Sequence, residues 1–325
     1  MSHRLCLCLI AGLTGLLSVT PVSAAAFIWE GSVDRNWGNT ASWSGGTGVP
    51  DDNTDTVTIN NDFIDAGRRN PLLADSSGND ASFTVKSIFA NPNSIGNRSY
   101  TFGNVASGVG VLIMDTDVVA GNTTITANTG GTSDANNNTL TFNVGIQLND
   151  NLILTTSPFS TSSLTLTKAT FNRAMGELGG ARSVTKSGSQ RAVFNAANSY
   201  SGGTIVTAGE LVVGVAGTLG SGDVTVNGGL LIINNTANII NDLADVTIAG
   251  GAQISLVSGI NDIVGTLTLG GLEQSQAGTY GSASSGADHQ SGFFAGTGVL
   301  TIIPEPAAAA LLLAGIAMML PRRRR

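Results

Sequence analysis

The chain has 325 residues, of which 42% are hydrophobic and only 11% are charged. A disordered chain is poorer in hydrophobic residues, so the sequence predicts a folded protein with a sizeable core. The formal net charge is −7, and residues 25–303 alone carry 10 Lys and Arg against 21 Asp and Glu. This acidic balance excludes nucleic-acid binding through phosphate neutralisation.

The N-terminus has the three parts of a secretory signal peptide. Arg4 supplies a positive charge, an apolar run follows, and small residues around Ala24 and Ala26 form an A-x-A-like cleavage site. We predict a signal peptide over residues 1–24, with cleavage after Ala24 or Ala26.

Both cysteines, Cys6 and Cys8, lie within this segment. The mature chain therefore has no thiol for a disulfide, a thiolate metal site or a cysteine nucleophile. We expect its stability to come from a buried core, and we predict neither a cofactor nor a metal.

Three tryptophans, Trp29, Trp37 and Trp43, follow within 15 residues. Clustered indoles on a surface can stack on sugar rings, but a fold built of stacked coils also needs an apolar cap over its open end. We favour the cap, and we assign residues 25–109 to an N-terminal cap and the first β coils.

Short alternating runs rich in Val, Ile, Leu and Thr recur between residues 27 and 303, each ended by Gly, Asn or Asp. This pattern is typical of β-strands. The strands continue without a domain break, and their Gly- and Asn-rich corners suit a chain that winds one coil onto the next. We predict an all-β fold, a single right-handed parallel β-helix (β-solenoid), which occupies residues 110–303. A β-sandwich stays open as the alternative because the strand spacing is irregular.

The interior of such a solenoid is predicted to be small and aliphatic, while Thr, Ser and Asn point outward. The interior residues that we name in advance are Leu211, Val213, Val224, Val226, Ile233, Ile248 and Leu269.

Asp115 and Asp117 are the candidates for a catalytic carboxylate pair. If they lay on a strand, they would share one face about 7 Å apart, a separation that suits glycoside hydrolysis. An exposed D-x-D turn has the same spacing, and His289 has no acid or nucleophile pattern around it. We therefore predict no enzymatic activity, with a β-helix polysaccharide lyase or hydrolase as the alternative.

Residues 183–226 contain a motif with a known relative. Its turn is formed by Asn198, Tyr200, Gly202, Gly203 and Thr204, between two alternating strands. The segment resembles the autotransporter-associated β-strand repeat, which implies a β-helical passenger. We expect Gly202 and Gly203 to adopt positive φ angles, and Tyr200 to cover the turn with its hydroxyl in solvent. Nothing after residue 303 has the alternating strands of a translocator barrel.

Two short motifs flank an apolar run at the end of the chain. The first is Pro304, Glu305 and Pro306, and the second is Arg322, Arg323, Arg324 and Arg325. Together with the run between them they resemble the PEP-CTERM sorting signal, over residues 304–325. The resemblance implies a transient transmembrane helix, with its arginines on the cytoplasmic side. It also implies cleavage by an exosortase.

The sequence therefore predicts an exported structural or adhesion protein of the cell surface or extracellular matrix. Its precursor is expected to be anchored in the inner membrane, and the processed protein is expected to associate with exopolysaccharide or other surface components. The expected partners are the exosortase and these surface components, and nucleic acid is excluded.

Overall fold

The computed structural model describes residues 24–59, 70–90, 99–105, 108–118, 121–129, 139–158 and 167–303. These residues form strands and one short 3-10 helix, Thr40–Ser42. The strands in chain order are β1 (Ala26–Trp29), β2 (Trp43–Ser44), β3 (Asp52–Ile59), β4 (Phe83–Ala90), β5 (Tyr100–Phe102), β6 (Val111–Met114), β7 (Asn122–Thr129), β8 (Leu140–Phe142), β9 (Gly145–Leu148), β10 (Asn151–Pro158), β11 (Thr167–Phe171), β12 (Met175–Glu177), β13 (Val184–Ser187), β14 (Arg191–Phe194), β15 (Thr204–Val206), β16 (Glu210–Val213), β17 (Val224–Val226), β18 (Leu230–Ile233), β19 (Asp245–Ile248), β20 (Gln253–Leu256), β21 (Asn261–Val264), β22 (Thr266–Leu269), β23 (Leu272–Glu273), β24 (Gly278–Gly281), β25 (His289–Gln290), β26 (Phe294–Gly296) and β27 (Val299–Ile302).

Two long parallel sheets dominate the described residues. One runs β4-β7-β10-β13-β15-β17-β19-β22, and the other runs β5-β8-β11-β14-β16-β18-β20-β26. The strands of these two runs alternate along the chain, so each coil adds one strand to each run. This arrangement is that of a β-solenoid. The sandwich alternative is wrong, because sandwich strands pair antiparallel whereas these pair in parallel.

The coils become regular from β13 onward. Val184 pairs with Thr204, Thr204 with Val224, Val224 with Val246, and Val246 with Leu267. The chain therefore advances by 20 to 22 residues per coil over this region. The irregular spacing seen in the sequence comes from longer excursions in the earlier coils, such as the step of 32 residues from Leu152 to its partner Val184.

A third side of the coil carries shorter strands. β4 is long enough to pair with β6 through its first half and with β7 through its second half, so the first sheet forks there. The branch continues as β6-β9-β12 in parallel register. Antiparallel strand pairs occur toward the two ends of the described fold, between β1 and β2 and among β22, β23, β24 and β27.

The interior is formed by the alternate residues of these strands. All seven interior residues named from the sequence are at least 94% buried, which confirms that prediction. Four phenyl rings also form a column along the interior, one from each of four successive coils; the first three rings are stacked and the last meets its neighbour edge-on. The ring centroids of Phe102 and Phe142 lie 4.9 Å apart, those of Phe142 and Phe171 4.8 Å, and those of Phe171 and Phe194 5.4 Å. This column was not predicted from the sequence.

The three tryptophans are buried together at the β1 end of the first sheet. Trp43 contacts both Trp29 and Trp37 edge-on, at centroid distances of 4.8 and 4.7 Å. The Trp37 indole donates to the Pro50 carbonyl, and the Trp43 indole donates to the Trp37 carbonyl. Their ring faces are therefore enclosed by protein and are not presented to a sugar.

Two predicted segments fall outside the described residues. These are the signal peptide, except for Ala24, and the whole of the tail over residues 304–325. Within the described ranges no helix has the length and apolar character needed to span a membrane. The right hand of the solenoid stays a prediction.

Candidate functional site at the repeat turn

The repeat turn, residues 198–204, connects β14 to β15 on the third side of the coil. Its backbone bonds to the coils on both sides: the Ser199 N–H donates to the Met175 carbonyl of β12, and the Ser221 N–H donates to the Tyr200 carbonyl. The turn therefore continues the column begun by β6, β9 and β12. It is a stacking element, since its backbone groups bond to neighbouring coils as those of a strand do.

Asn198 links three coils through its side chain and its own backbone. Its Oδ1 accepts from the Met175 N–H at 2.9 Å in the preceding coil. Its Nδ2 donates to the Thr218 carbonyl at 2.7 Å, and its N–H donates to Thr218 Oγ1 at 3.0 Å, in the following coil. Asn suits this position because its short amide has both an acceptor and donors.

Tyr200 points into the fold, so the prediction of a solvent-exposed hydroxyl is wrong. The residue is completely buried, and its hydroxyl lies 2.7 Å from Thr204 Oγ1. Burial raises the pKa of the Tyr200 hydroxyl to about 12, although the bond with Thr204 partly opposes this. The turn bends inward because the phenol finds its hydrogen-bond partner within the turn itself.

The two glycines of the turn serve different purposes. Gly203 has a φ of +94°, as predicted, and a Cβ there would lie 2.7 Å from the Asp223 carbonyl oxygen. Gly202 lies outside the positive-φ region, so that part of the prediction is wrong. Its role is close approach, because a Cβ on Gly202 would lie 2.7 Å from the Arg182 carbonyl oxygen.

Glu177 is a contributor to this corner that the sequence analysis missed. Its carboxylate accepts from the Ser201 N–H and hydroxyl and from the Arg182 N–H, at 2.8, 2.5 and 2.7 Å. Desolvation favours the neutral carboxyl, but these hydrogen bonds outweigh it and lower the pKa of Glu177. The carboxylate thus fixes the turn to the loop that follows β12.

Lys186 is the second residue that was not predicted from the sequence, although the alternation of β13 indicates its buried position. Val184 of β13 is buried and Thr185 is not, so Lys186 falls on the buried side of the strand. Its side chain is fully buried, and its ammonium donates to the carbonyls of Ser187, Gly188 and Ala208 at 2.8, 2.9 and 3.1 Å. Burial lowers the pKa of Lys186 to about 8, and the charge of Glu210 partly opposes this.

Asp115 and Asp117 do not share a strand. β6 ends at Met114, so both residues lie in the loop beyond it, where Asp117 is exposed and Asp115 accepts from the Asn149 amide at 3.0 Å. The geometry that motivated a carboxylate pair is therefore wrong. Searching the described residues for three or more His, Cys, Asp or Glu side chains that could hold a metal ion finds no such group.

The sequence around the repeat turn matches a known protein family. Residues 184–213 match the family model of the passenger-associated-transport-repeat. Neither the curated proteins nor the solved structures include one with significant similarity to the chain. The predicted resemblance to an autotransporter-type repeat is thus confirmed over the matched residues, which lie within the predicted span 183–226.

The matched residues correspond to a structural unit. They begin at the first residue of β13 and end at the last residue of β16, with the repeat turn in the middle. At 20 residues per coil this is one and a half coils. A repeat of this kind is associated with passenger proteins, so the match indicates an exported or surface protein.

Proposed function

We propose that this chain is a structural or adhesion protein of the cell surface or extracellular matrix, exported by its signal peptide and associated with exopolysaccharide. The observation that carries the proposal is the passenger-type repeat at residues 184–213, built into an uninterrupted solenoid. A continuous stack of coils has a rigid outer surface and repeats its outward side chains, which suits a scaffold or an adhesive surface. The proposal assigns the chain no catalytic role.

Outward side chains support a scaffold role because they reinforce the stack. Asn143, Asn172 and Asn195 follow β8, β11 and β14 at equivalent positions. The Asn172 amide donates to Asn143 Oδ1, and the Asn195 amide donates to Asn172 Oδ1, each at 2.9 Å. This ladder is exposed, so it braces three coils from outside while the phenyl column braces them from inside.

The tail completes the proposal. Residues 304–325 would hold the exported precursor in the inner membrane, and an exosortase would cleave near the motif formed by Pro304, Glu305 and Pro306. β27 ends at Ile302, two residues before Pro304. Proline cannot donate to a ladder and fixes its φ, so the motif is suited to leave the solenoid in an extended form that a protease can bind. The apolar run of 14 residues spans about 21 Å as a helix, short of the ~30 Å hydrocarbon core, which suits a transient anchor.

The test is processing of the full chain in two hosts, one with an exosortase and one without. The measurement is the precursor and mature bands in membrane and extracellular fractions. We expect release only in the exosortase host, and its loss when Pro304, Glu305 and Pro306 are all replaced by Ala. A matched control replaces the exposed Glu273 and Ser275 by Ala and should be released normally. Equal release in both hosts, or normal processing of the triple-Ala variant, would overturn the sorting proposal.

A second measurement tests whether the released protein binds exopolysaccharide. Released protein should co-sediment with the exopolysaccharide of the exosortase host without shortening the polymer. If the protein stays in the supernatant, the proposed association with exopolysaccharide is overturned. If the polymer is shortened, and Asp115→Asn or Asp117→Asn abolishes the shortening, the protein is an enzyme instead.

A further inference from the structure

We propose that the signal peptide is removed between Ala24 and Ala25, and that the α-amino group freed on Ala25 forms an ion pair with Asp55 that fastens the first strand to the solenoid. This inference rests on the proposed export function, because that function supplies the cleavage. The sequence alone assigned the signal peptide to residues 1–24 but left cleavage after Ala26 open as well.

The backbone of residues 25 and 26 already belongs to the sheet. β1 begins at Ala26, which pairs in parallel with Thr56 of β3, and the Thr56 N–H donates to the Ala25 carbonyl at 2.9 Å. Cleavage after Ala26 would remove this hydrogen bond and the first pair of the ladder. Cleavage after Ala24, which is exposed, leaves the whole of β1 in place.

Asp55 is positioned to receive the new terminus. It is 95% buried, and its Oδ1 lies 3.4 Å from the Ala25 nitrogen, while its Oδ2 accepts from the Asp51 N–H at 3.1 Å. An amide N–H at 3.4 Å is a long hydrogen bond. An ammonium would contract it toward the ~2.7–2.9 Å of a charge-assisted bond.

The surroundings leave room for that ammonium and provide only negative charge. An open cavity of about 570 Å³ lies beside Ala24 and Ala25, and the described residues that line it include Asp51, Asp52 and Asp55 but no Lys or Arg. Desolvation raises the pKa of both Asp51 and Asp55, and the charge of Asp52 adds to the effect. Among the described residues, the carboxylates of Asp51 and Asp55 therefore have no cation beside them in this cavity, and cleavage supplies one.

Removal of the signal peptide is a hydrolysis, and water is the only other reactant that it needs. Water adds across the Ala24–Ala25 peptide bond, the new carboxylate leaves with the signal peptide, and the amine on Ala25 takes up a proton to become an ammonium. Processing thus converts a neutral donor near Asp55 into a charged one. A chain that begins at Phe27 would have no group at this position.

The first experiment exports the full chain and determines its N-terminus by intact mass and N-terminal sequencing. We expect Ala25. A mature chain that begins at Phe27, or elsewhere, overturns this inference and leaves export standing. A chain that keeps its leader and is not exported overturns the proposed function together with this inference.

The second experiment measures the pKa of the α-amino group from the pH dependence of its acylation. We expect a pKa about one unit or more above the ~7.7–8.0 of a free α-amine, because the ammonium is held by Asp55. Asp55→Asn should abolish the increase, and the control Asp117→Asn, at an exposed carboxylate, should retain it. An ordinary pKa in the unsubstituted chain overturns the ion pair.

A variant with one glycine added before Ala25 keeps Asp55 and every side chain but moves the amine by one residue. It should show an ordinary α-amino pKa, and it decides the question even where Asp55→Asn prevents folding. A pKa that stays elevated in this variant overturns the assignment to Asp55.

Discussion

The hydroxyl of Tyr200 lies 2.7 Å from Oγ1 of Thr204, and both residues are buried within the same turn. Their hydrogen bond closes the corner that a family model recognises as a passenger-type repeat. The N-x-Y-x-G-G-T pattern therefore has a physical explanation: Asn198 links neighbouring coils, Tyr200 fills the interior, and Thr204 satisfies the phenol at the start of β15.

Tyr200→Phe should destabilise the fold by about 1–2 kcal/mol, because it leaves the buried Thr204 hydroxyl without its partner. The double variant Tyr200→Phe with Thr204→Val should recover most of this loss, since both polar groups are then removed. Urea unfolding followed by circular dichroism measures both. Unchanged stability of Tyr200→Phe would show that the hydroxyl is in solvent, as the sequence had predicted.

Gly220→Ala should destabilise the fold by about 1–3 kcal/mol through overpacking. An added Cβ would clash with the carbonyl oxygen of Tyr200 and lie 2.5 Å from Cε2 of its ring, which packs against this glycine from the preceding coil. The matched control is Gly250→Ala, where a Cβ meets nothing within 4 Å. The control should change stability by less than about 0.5 kcal/mol or increase it slightly, since Ala restricts the unfolded chain. Equal losses in the two variants would contradict the stacking.

The sequence predicted the strands and the aliphatic interior because alternation depends only on local pattern. Leu211 and Val213 were placed inside on that basis, and they are. The same rule applied to β13 places Lys186 inside, but it was used only for aliphatic residues. Asp115 was misplaced because pattern does not fix where a strand ends, and β6 stops one residue before it. The Tyr200 hydroxyl and the Phe102–Phe194 column could not be predicted, because both depend on which coils lie adjacent in space.

Asn172→Ala should cost about 0.5–1.5 kcal/mol, because it breaks both side-chain bonds of the ladder at an exposed site. Asn172→Asp should lie between the native chain and Asn172→Ala. Its carboxylate still accepts from Asn195 but no longer donates to Asn143. Chemical unfolding of the three proteins gives the order. A neutral Asn172→Ala would mean that the ladder adds nothing to the backbone pairing and the phenyl column in holding these coils.

Raising the pH from 8 to about 10 should stabilise the native chain through Lys186. Burial lowers the pKa of its ammonium to about 8 in the folded state, whereas an unfolded lysine titrates near ~10.4. Between these values the unfolded chain binds the extra proton, so the free energy of unfolding increases with pH, by up to about 3 kcal/mol. Below pH 8 the full penalty for the buried charge remains, and the three carbonyl acceptors limit it without removing it.

Lys186→Met should lose this increase of stability with pH, whereas Lys86→Met, at an incompletely buried lysine of β4, should retain it. Urea unfolding at pH 7, 8, 9 and 10 provides the measurement, and a Lys186→Met protein that keeps the native pH dependence would contradict the assignment.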